Sequence, residues 1–184
     1  DELNNKIQEF IATNDTSHPS KDEIFDELHR VLARLALAST STYGLAFFGG
    51  GRASDGKAST VIDIFDSQSL SWSFINLTES RFGHTAASID TKVFFAGGLA
   101  GEENQVHTLQ SVEIYDLSSK SWSFTKLSEP RHGLTSIALG SKVYFAGGSI
   151  TDQNNISSAV DVYDSNTNKW SLEHLSVKRT ALAS

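Results

Sequence analysis

Residues 81–130 read RFGHTAASIDTKVFFAGGLAGEENQVHTLQSVEIYDLSSKSWSFTKLSEP, and residues 131–178 read RHGLTSIALGSKVYFAGGSITDQNNISSAVDVYDSNTNKWSLEHLSVK. Laid on their opening arginines, the two stretches share four segments in one order. A small apolar segment is followed by an aromatic one ending in two glycines, then one ending in aspartate, then one led by tryptophan. The same landmarks recur along the chain: Trp72, Trp122 and Trp170; Gly49-Gly50, Gly97-Gly98 and Gly147-Gly148; Arg34, Arg81, Arg131 and Arg179. A fixed period of about 50 residues marks stacked units, each covering the hydrophobic face of the next. The units run over 34–80, 81–130 and 131–178, and the motif restarts at 179–184.

Each segment has strand character, with β-branched and aromatic residues interrupted by polar turns at regular intervals. Between the aspartates Asp66, Asp116 and Asp164 and the following tryptophans lie five mostly polar residues, the length of a hairpin loop. Recurrence of those aspartates once per unit predicts a turn or strand-end role for them. Side chains alternate along a strand, so Val112 and Ile114 face one way and Glu113 and Tyr115 the other. Large residues on both sides predict a sheet covered on both faces, as in the radially packed blades of a β-propeller. The diglycine suits a strand end that needs positive φ or a close aromatic approach, more than a phosphate-cradling loop.

The arginine, the aromatic-Gly-Gly, the Tyr-Asp and the Trp, in that order, resemble the kelch repeat. The resemblance covers residues 34–184. It implies an all-β fold of four-stranded kelch-type β-propeller blades with the first strand of each lining a central channel. About three blades make an incomplete ring, since the family closes with typically five to seven. The resemblance also implies recognition of proteins or glycans, with further blades or another subunit, including a second copy in a homo-oligomer, completing the ring.

Residues 1–33 differ in kind. Ser20 and Glu23 form a capping-box pattern, and Ile24, Leu28, Val31, Leu32 and Leu35 follow at helical spacing. A shorter pattern, Leu3, Ile7, Phe10 and Ile11, precedes a turn over 13–19. An N-terminal helical segment is therefore expected, packed on the blades or serving as a docking arm.

Composition narrows the function. The net charge is −7 and the basic residues are scattered, which disfavours nucleic acid and anionic membranes as partners. No apolar run reaches the length of a membrane span, and residues 1–30 lack a signal-peptide pattern. The 184 residues contain neither cysteine nor methionine. This excludes disulfides, thiolate metal sites and cysteine nucleophiles within them, and points to a processed or partial chain. The oxidation-poor composition favours an extracellular setting over a cytoplasmic one. Sequons stand at Asn14, Asn76 and Asn155 as possible N-glycosylation positions.

Catalytic chemistry finds little support. The six histidines show no ligand spacing, so no metal site is expected, and no G-x-S-x-G elbow accompanies the many serines. Some kelch-like propellers are enzymes, among them copper oxidases resembling galactose oxidase and sugar mutarotases. The oxidase type needs a cysteine that this sequence lacks. The expectation is a non-catalytic module without cofactor, the alternative being a carbohydrate-binding or mutarotase-like sugar-modifying propeller.

Recognition belongs on loops that vary over a constant scaffold. After the diglycines the sequences GRASDGKAST, LAGEENQVHTLQ and SITDQNNISSA differ in length and charge. From these come the candidate ligand or partner contacts Arg52, Asp55, Lys57, Glu102, Glu103, His107, Asp152, Gln153 and Asn154. The repeat-opening Arg81, Arg131 and Arg179, with His84 and His132 just after two of them, join the set as residues at the channel mouth. The arginines carry a second reading, an inter-blade structural role, because every unit has one.

Overall fold

The computed structural model describes residues 34–53, 56–101, 105–150 and 155–180. The helical segment expected over 1–33 lies outside them. The described residues form strands, turns and loops, and no helix among them is long and apolar enough to cross a membrane.

The first sheet is built from β1 (Ala38–Thr42), β2 (Leu45–Gly49), β3 (Val61–Asp66) and β4 (Ser71–Asn76), paired antiparallel in that order. The second unit gives β5 (Thr85–Ile89), β6 (Lys92–Ala96), β9 (Ser111–Asp116) and β10 (Ser121–Lys126). Between its second and third ladder strands lies a small hairpin of β7 (Leu99–Ala100) and β8 (His107–Thr108). The third sheet is β11 (Thr135–Leu139), β12 (Lys142–Ala146), β13 (Ala159–Asp164) and β14 (Lys169–His174). These are the four segments read from each repeat, so the chain is all-β and its units are four-stranded antiparallel blades.

Turn chemistry fixes the register. At Tyr43-Gly44 both residues have positive φ, 51° and 76°, the twist a two-residue hairpin requires. At the far hairpins the strand-end aspartates hold the turn. Asp66 accepts from the backbone of Gln68 at 2.8 Å, Asp116 from Ser118 at 2.9 Å and Asp164 from Asn166 at 3.0 Å. The Ser118 hydroxyl also donates to Asp116, and this bond, followed by that from Lys92, holds the Asp116 carboxyl well below the usual carboxylate range.

Two apolar layers sit between the three sheets. Ala38, Phe47, Ile62, Ile64 and Leu77 of the first blade meet Ala86, Val93 and Phe95 of the second. Ala87, Ile89, Phe94, Ala96, Val112, Ile114 and Leu127 of the second meet Leu134, Val143, Phe145 and Tyr163 of the third. Alternation along Val112-Glu113-Ile114-Tyr115 thus sends one set of side chains forward and the other back, as expected of a doubly covered sheet. Each tryptophan packs on the backward set. Trp72 lies 5.1 Å from Phe65, Trp122 5.1 Å from Tyr115, and Trp170 5.4 Å from Tyr163 between ring centroids. Such tilted pairs add about 0.5–1.5 kcal/mol each beyond area burial.

The diglycine has a steric cause. Gly97 has φ +65°, and a Cβ there would stand 2.3 Å from the carbonyl oxygen of Arg131 on the next unit. Gly97→Ala is expected to combine about 1–2 kcal/mol of left-handed strain with a backbone clash. Calorimetry should show the melting temperature lowered by about 5 °C or more.

Candidate functional site

The site is assembled from the two loops that meet at one end of each blade. One is the variable segment after the diglycine, the other the connection between blades that carries the arginine. A residue just past each arginine forms a two-way backbone bridge with the variable loop. Leu35 pairs with Arg52 at 2.9 and 2.7 Å, Phe82 with Leu99 at 3.0 and 2.8 Å, and His132 with Ser149 at 2.9 and 2.8 Å. Adjacent blades are joined at the same level, where Gly83 N donates to Ala36 O at 2.9 Å and Gly133 N to Gly83 O at 2.8 Å. The variable loops are therefore mounted on a continuous backbone-bonded rim.

On this rim Lys57 and His107 are exposed, and Arg52 and His132 are half-buried. The Arg52 guanidinium stands 5.4 Å over the ring of Phe82 on the next blade, and its Nε donates to Gly56 O at 2.7 Å. This cation–π contact places a charged group across the first junction. Burial pushes the His132 imidazole below its ordinary pKa. Asp55, Glu102, Glu103, Asp152, Gln153 and Asn154 lie outside the described residues. Of the sequons, Asn76 and Asn155 are exposed, and Asn14 lies outside the described residues.

Arg81 and Arg131, read as channel-mouth contacts, have side chains with 0% exposure. Arg81 donates to Gly97 O at 3.0 Å, Ser111 O at 3.2 Å and Glu113 Oε1 at 2.6 Å. Arg131 donates to Gly147 O and Ala159 O, both at 2.7 Å, and to Asp161. Arg34 makes the matching bonds to Gly50 O, Val61 O and Asp63. Their second reading, the structural one, fits this geometry, and no ligand on the face can reach Arg81 or Arg131. Arg179 differs, because its side chain is exposed.

His84 is also displaced from the face. It is 6% exposed at the first junction, and neither ring nitrogen has a hydrogen-bond partner among the described residues. Burial, then the charges of Arg81 and Arg34, lower its pKa to about 3.

The buried acids Asp63, Glu113 and Asp161 were missed in the sequence although a signal was present. Each stands three residues before the strand-end aspartate of its unit. An acid repeated inside a doubly covered strand must be paired, and the repeat contains one recurring base.

Hydroxyl side chains on the first strands pair across both junctions between blades. Thr40 Oγ1 and Ser88 Oγ lie 3.0 Å apart across the first junction, and Thr85 Oγ1 and Ser136 Oγ 2.7 Å apart across the second. Among the described residues no three His, Asp or Glu side chains gather as metal ligands.

Comparison with known proteins agrees with this architecture. The kelch motif matches residues 80–125 and 130–173. Among solved structures, that described as the structure of YjhT aligns with a TM-score of 0.62 at 15% identity, over 78% of this chain. At that identity the likeness concerns the fold. This chain spans 51% of the length of that structure. No curated protein matches this chain significantly.

Proposed function

This chain is a kelch-repeat protein, and from that premise we propose that it acts as a non-catalytic protein-interaction or structural module. Its contact surface is the loop rim, and the ring is completed by further blades or another subunit. The supporting observation is the contrast on that rim. Strands, diglycines and buried ion pairs repeat from blade to blade, whereas the loops after the diglycines differ in length and charge and present the exposed Lys57 and His107 beside the half-buried Arg52. A rigid scaffold holding unlike polar loops suits a macromolecular partner, whose binding energy concentrates in a few arginine and aromatic contacts.

The test compares the wild type with the triple variant Arg52→Ala, Lys57→Ala, His107→Ala. Lys57 and His107 are exposed, while Arg52 gives up its contact with Phe82 and its bond to Gly56 O, so folding stability should fall by about 1–3 kcal/mol and binding is measured where both proteins are fully folded. Quantitative co-precipitation followed by titration with each purified partner should show at least about tenfold weaker binding by the variant. Unchanged partner affinity would remove the rim from the reading. Strong signals on a glycan array, with no protein partner affected, would move the function to the carbohydrate class.

A further inference from the structure

His84 stands where the first two blades meet, and both blades enclose its ring. On the side of the first blade, a Cβ on Gly50 would stand 2.6 Å from His84 Cε1. On the side of the second, a Cβ on Gly98 would stand 2.7 Å from His84 Cβ, and the Phe95 ring centroid is 6.1 Å away. The second junction holds a leucine in this place, since Leu134 Cδ2 lies 3.2 Å from where a Cβ on Gly97 would be. A leucine there needs no hydrogen bond. The imidazole brings two polar nitrogens into the same enclosure, and neither Nδ1 nor Nε2 finds a partner among the described residues. The charged groups around the ring are Arg81 and Arg34, each bonded to its own acid, Glu113 and Asp63. Neither carboxylate is bonded to the imidazole. A proton on the enclosed ring would therefore face two guanidinium groups without an acceptor, whereas a ring released to solvent takes one readily.

The contacts that close this junction differ between its two ends. At the rim end, beside His84, Gly83 N donates to Ala36 O at 2.9 Å and the Arg52 guanidinium lies 5.4 Å over Phe82. Phe82 and Gly83 are the two residues before His84. Towards the far end, Ser88 Oγ donates to Ser41 O at 2.8 Å and Thr42 Oγ1 to Asp90 O at 3.2 Å. These far contacts lie away from the histidine and can serve as a pivot.

We propose that the rim end of the first junction is an acid-operated hinge. When His84 takes up a proton, residues 82–84 part from the first blade, the bond from Gly83 to Ala36 breaks, and Phe82 is drawn from under Arg52. The loop carrying Arg52 and Lys57 is then uncoupled from the loop carrying His107. The second junction, with Leu134 in this place, lacks the device. The inference rests on the rim reading for its consequence, a contact surface divided in acid, and on the junction alone for its mechanism.

Linkage sets the size of the effect. Burial first, then the charges of Arg81 and Arg34, holds the His84 pKa at about 3 in the closed junction, against an ordinary 6.5 once the ring is released. The closed form carries the lowered pKa, so it is fully favoured above pH 6.5 and loses ground as pH falls towards 3. Between pH 7.5 and pH 5.0 the equilibrium constant for opening should rise about 30-fold.

Amide hydrogen exchange on the intact protein, corrected for the intrinsic rate at each pH, tests the hinge. At pH 7.5 the Gly83 N–H should be less protected than the central amides of β6, as local opening requires. Its protection factor should fall about 30-fold at pH 5.0 in the wild type and less than about threefold in His84→Leu. The reverse substitution, Leu134→His, should transfer the acid response to the Gly133 N–H, which donates to Gly83 O at 2.8 Å across the second junction. Gly83 protection that ignores pH in the wild type, or that falls equally in His84→Leu, overturns the proposal. So does exchange of Gly83 in step with the β6 amides at both pH values, the mark of global unfolding alone. Exchange involves no rim partner, so a failed hinge leaves the rim reading standing, and a rim that binds nothing leaves the hinge standing.

Discussion

Arg81→Met is expected to destabilise the protein by about 3–5 kcal/mol, the range for removing one partner of a buried ion pair. In equilibrium urea unfolding this appears as a fall in midpoint without a change in slope. The cause is the group left behind. Glu113 is 1% exposed and would keep the neutral donors Thr78 N, Thr78 Oγ1 and Glu79 N, while losing the cation at 2.6 Å. The carbonyls of Gly97 and Ser111 would lose a donor too. Adding Glu113→Gln should recover part of the loss, since a neutral amide no longer needs a counter-charge. If Arg81→Met costs less than about 1 kcal/mol, the pair does not hold the junction between the first two blades.

His84→Leu is expected to stabilise the protein and to flatten its acid sensitivity. In the other two units the position holds Leu37 and Leu134, and Leu134 is part of the second apolar layer. Two buried ring nitrogens without partners cost about 1–3 kcal/mol, which leucine avoids at pH 7. The pH effect follows from linkage. The folded-state pKa is lowered to about 3 from an ordinary 6.5, so between those values the unfolded state binds a proton that the folded state refuses. Stability from this group is fully present above pH 6.5 and is lost as pH falls towards 3, at about 1.4 kcal/mol per unit. From pH 6.5 to 4.5 the wild type should lose about 2 kcal/mol more than the variant. Chemical denaturation at the two pH values measures the difference, and parallel losses would refute the assignment.

The blades were legible because their markers are rigid requirements of geometry. Gly97 must lack a Cβ, Asp116 must cap a turn, and Trp122 must cover Tyr115 and Phe95, so each leaves a residue at a fixed offset. The repeat boundaries followed from the same offsets. Arginine was harder to place, since a face contact and a buried tie both leave one arginine per unit. Only its pairing with an acid 29 to 32 residues away separates them, and two ladder strands, the hairpin turn between them and a variable loop stand between the two. His84 was assigned to the face on polarity, although its alignment with Leu37 and Leu134 already placed it inside. The rim residues Lys57 and His107 were found where loop variation pointed. Phe82, the partner of Arg52, was not, because a contact across a junction leaves no local pattern.

The main chains of Arg81 and Arg131 bond to one blade, through Ser59 O at 3.2 Å and Leu109 O at 3.1 Å, and their side chains to the acid of the next, a division that also bears on how the chain is made. Every junction joins neighbours in sequence; the hydroxyl contacts of the inner strands, for example, link residues 48 and 51 apart. A ribosome delivers such a stretch in roughly 3–10 s. By then the preceding blade is finished and already presents an arginine anchored by its main chain. Each new blade thus condenses on a completed template, so order of synthesis and order of assembly coincide. Nearest-neighbour coupling of this kind lets structure propagate from the amino-terminal side one unit at a time, with little delay from distant strand pairing.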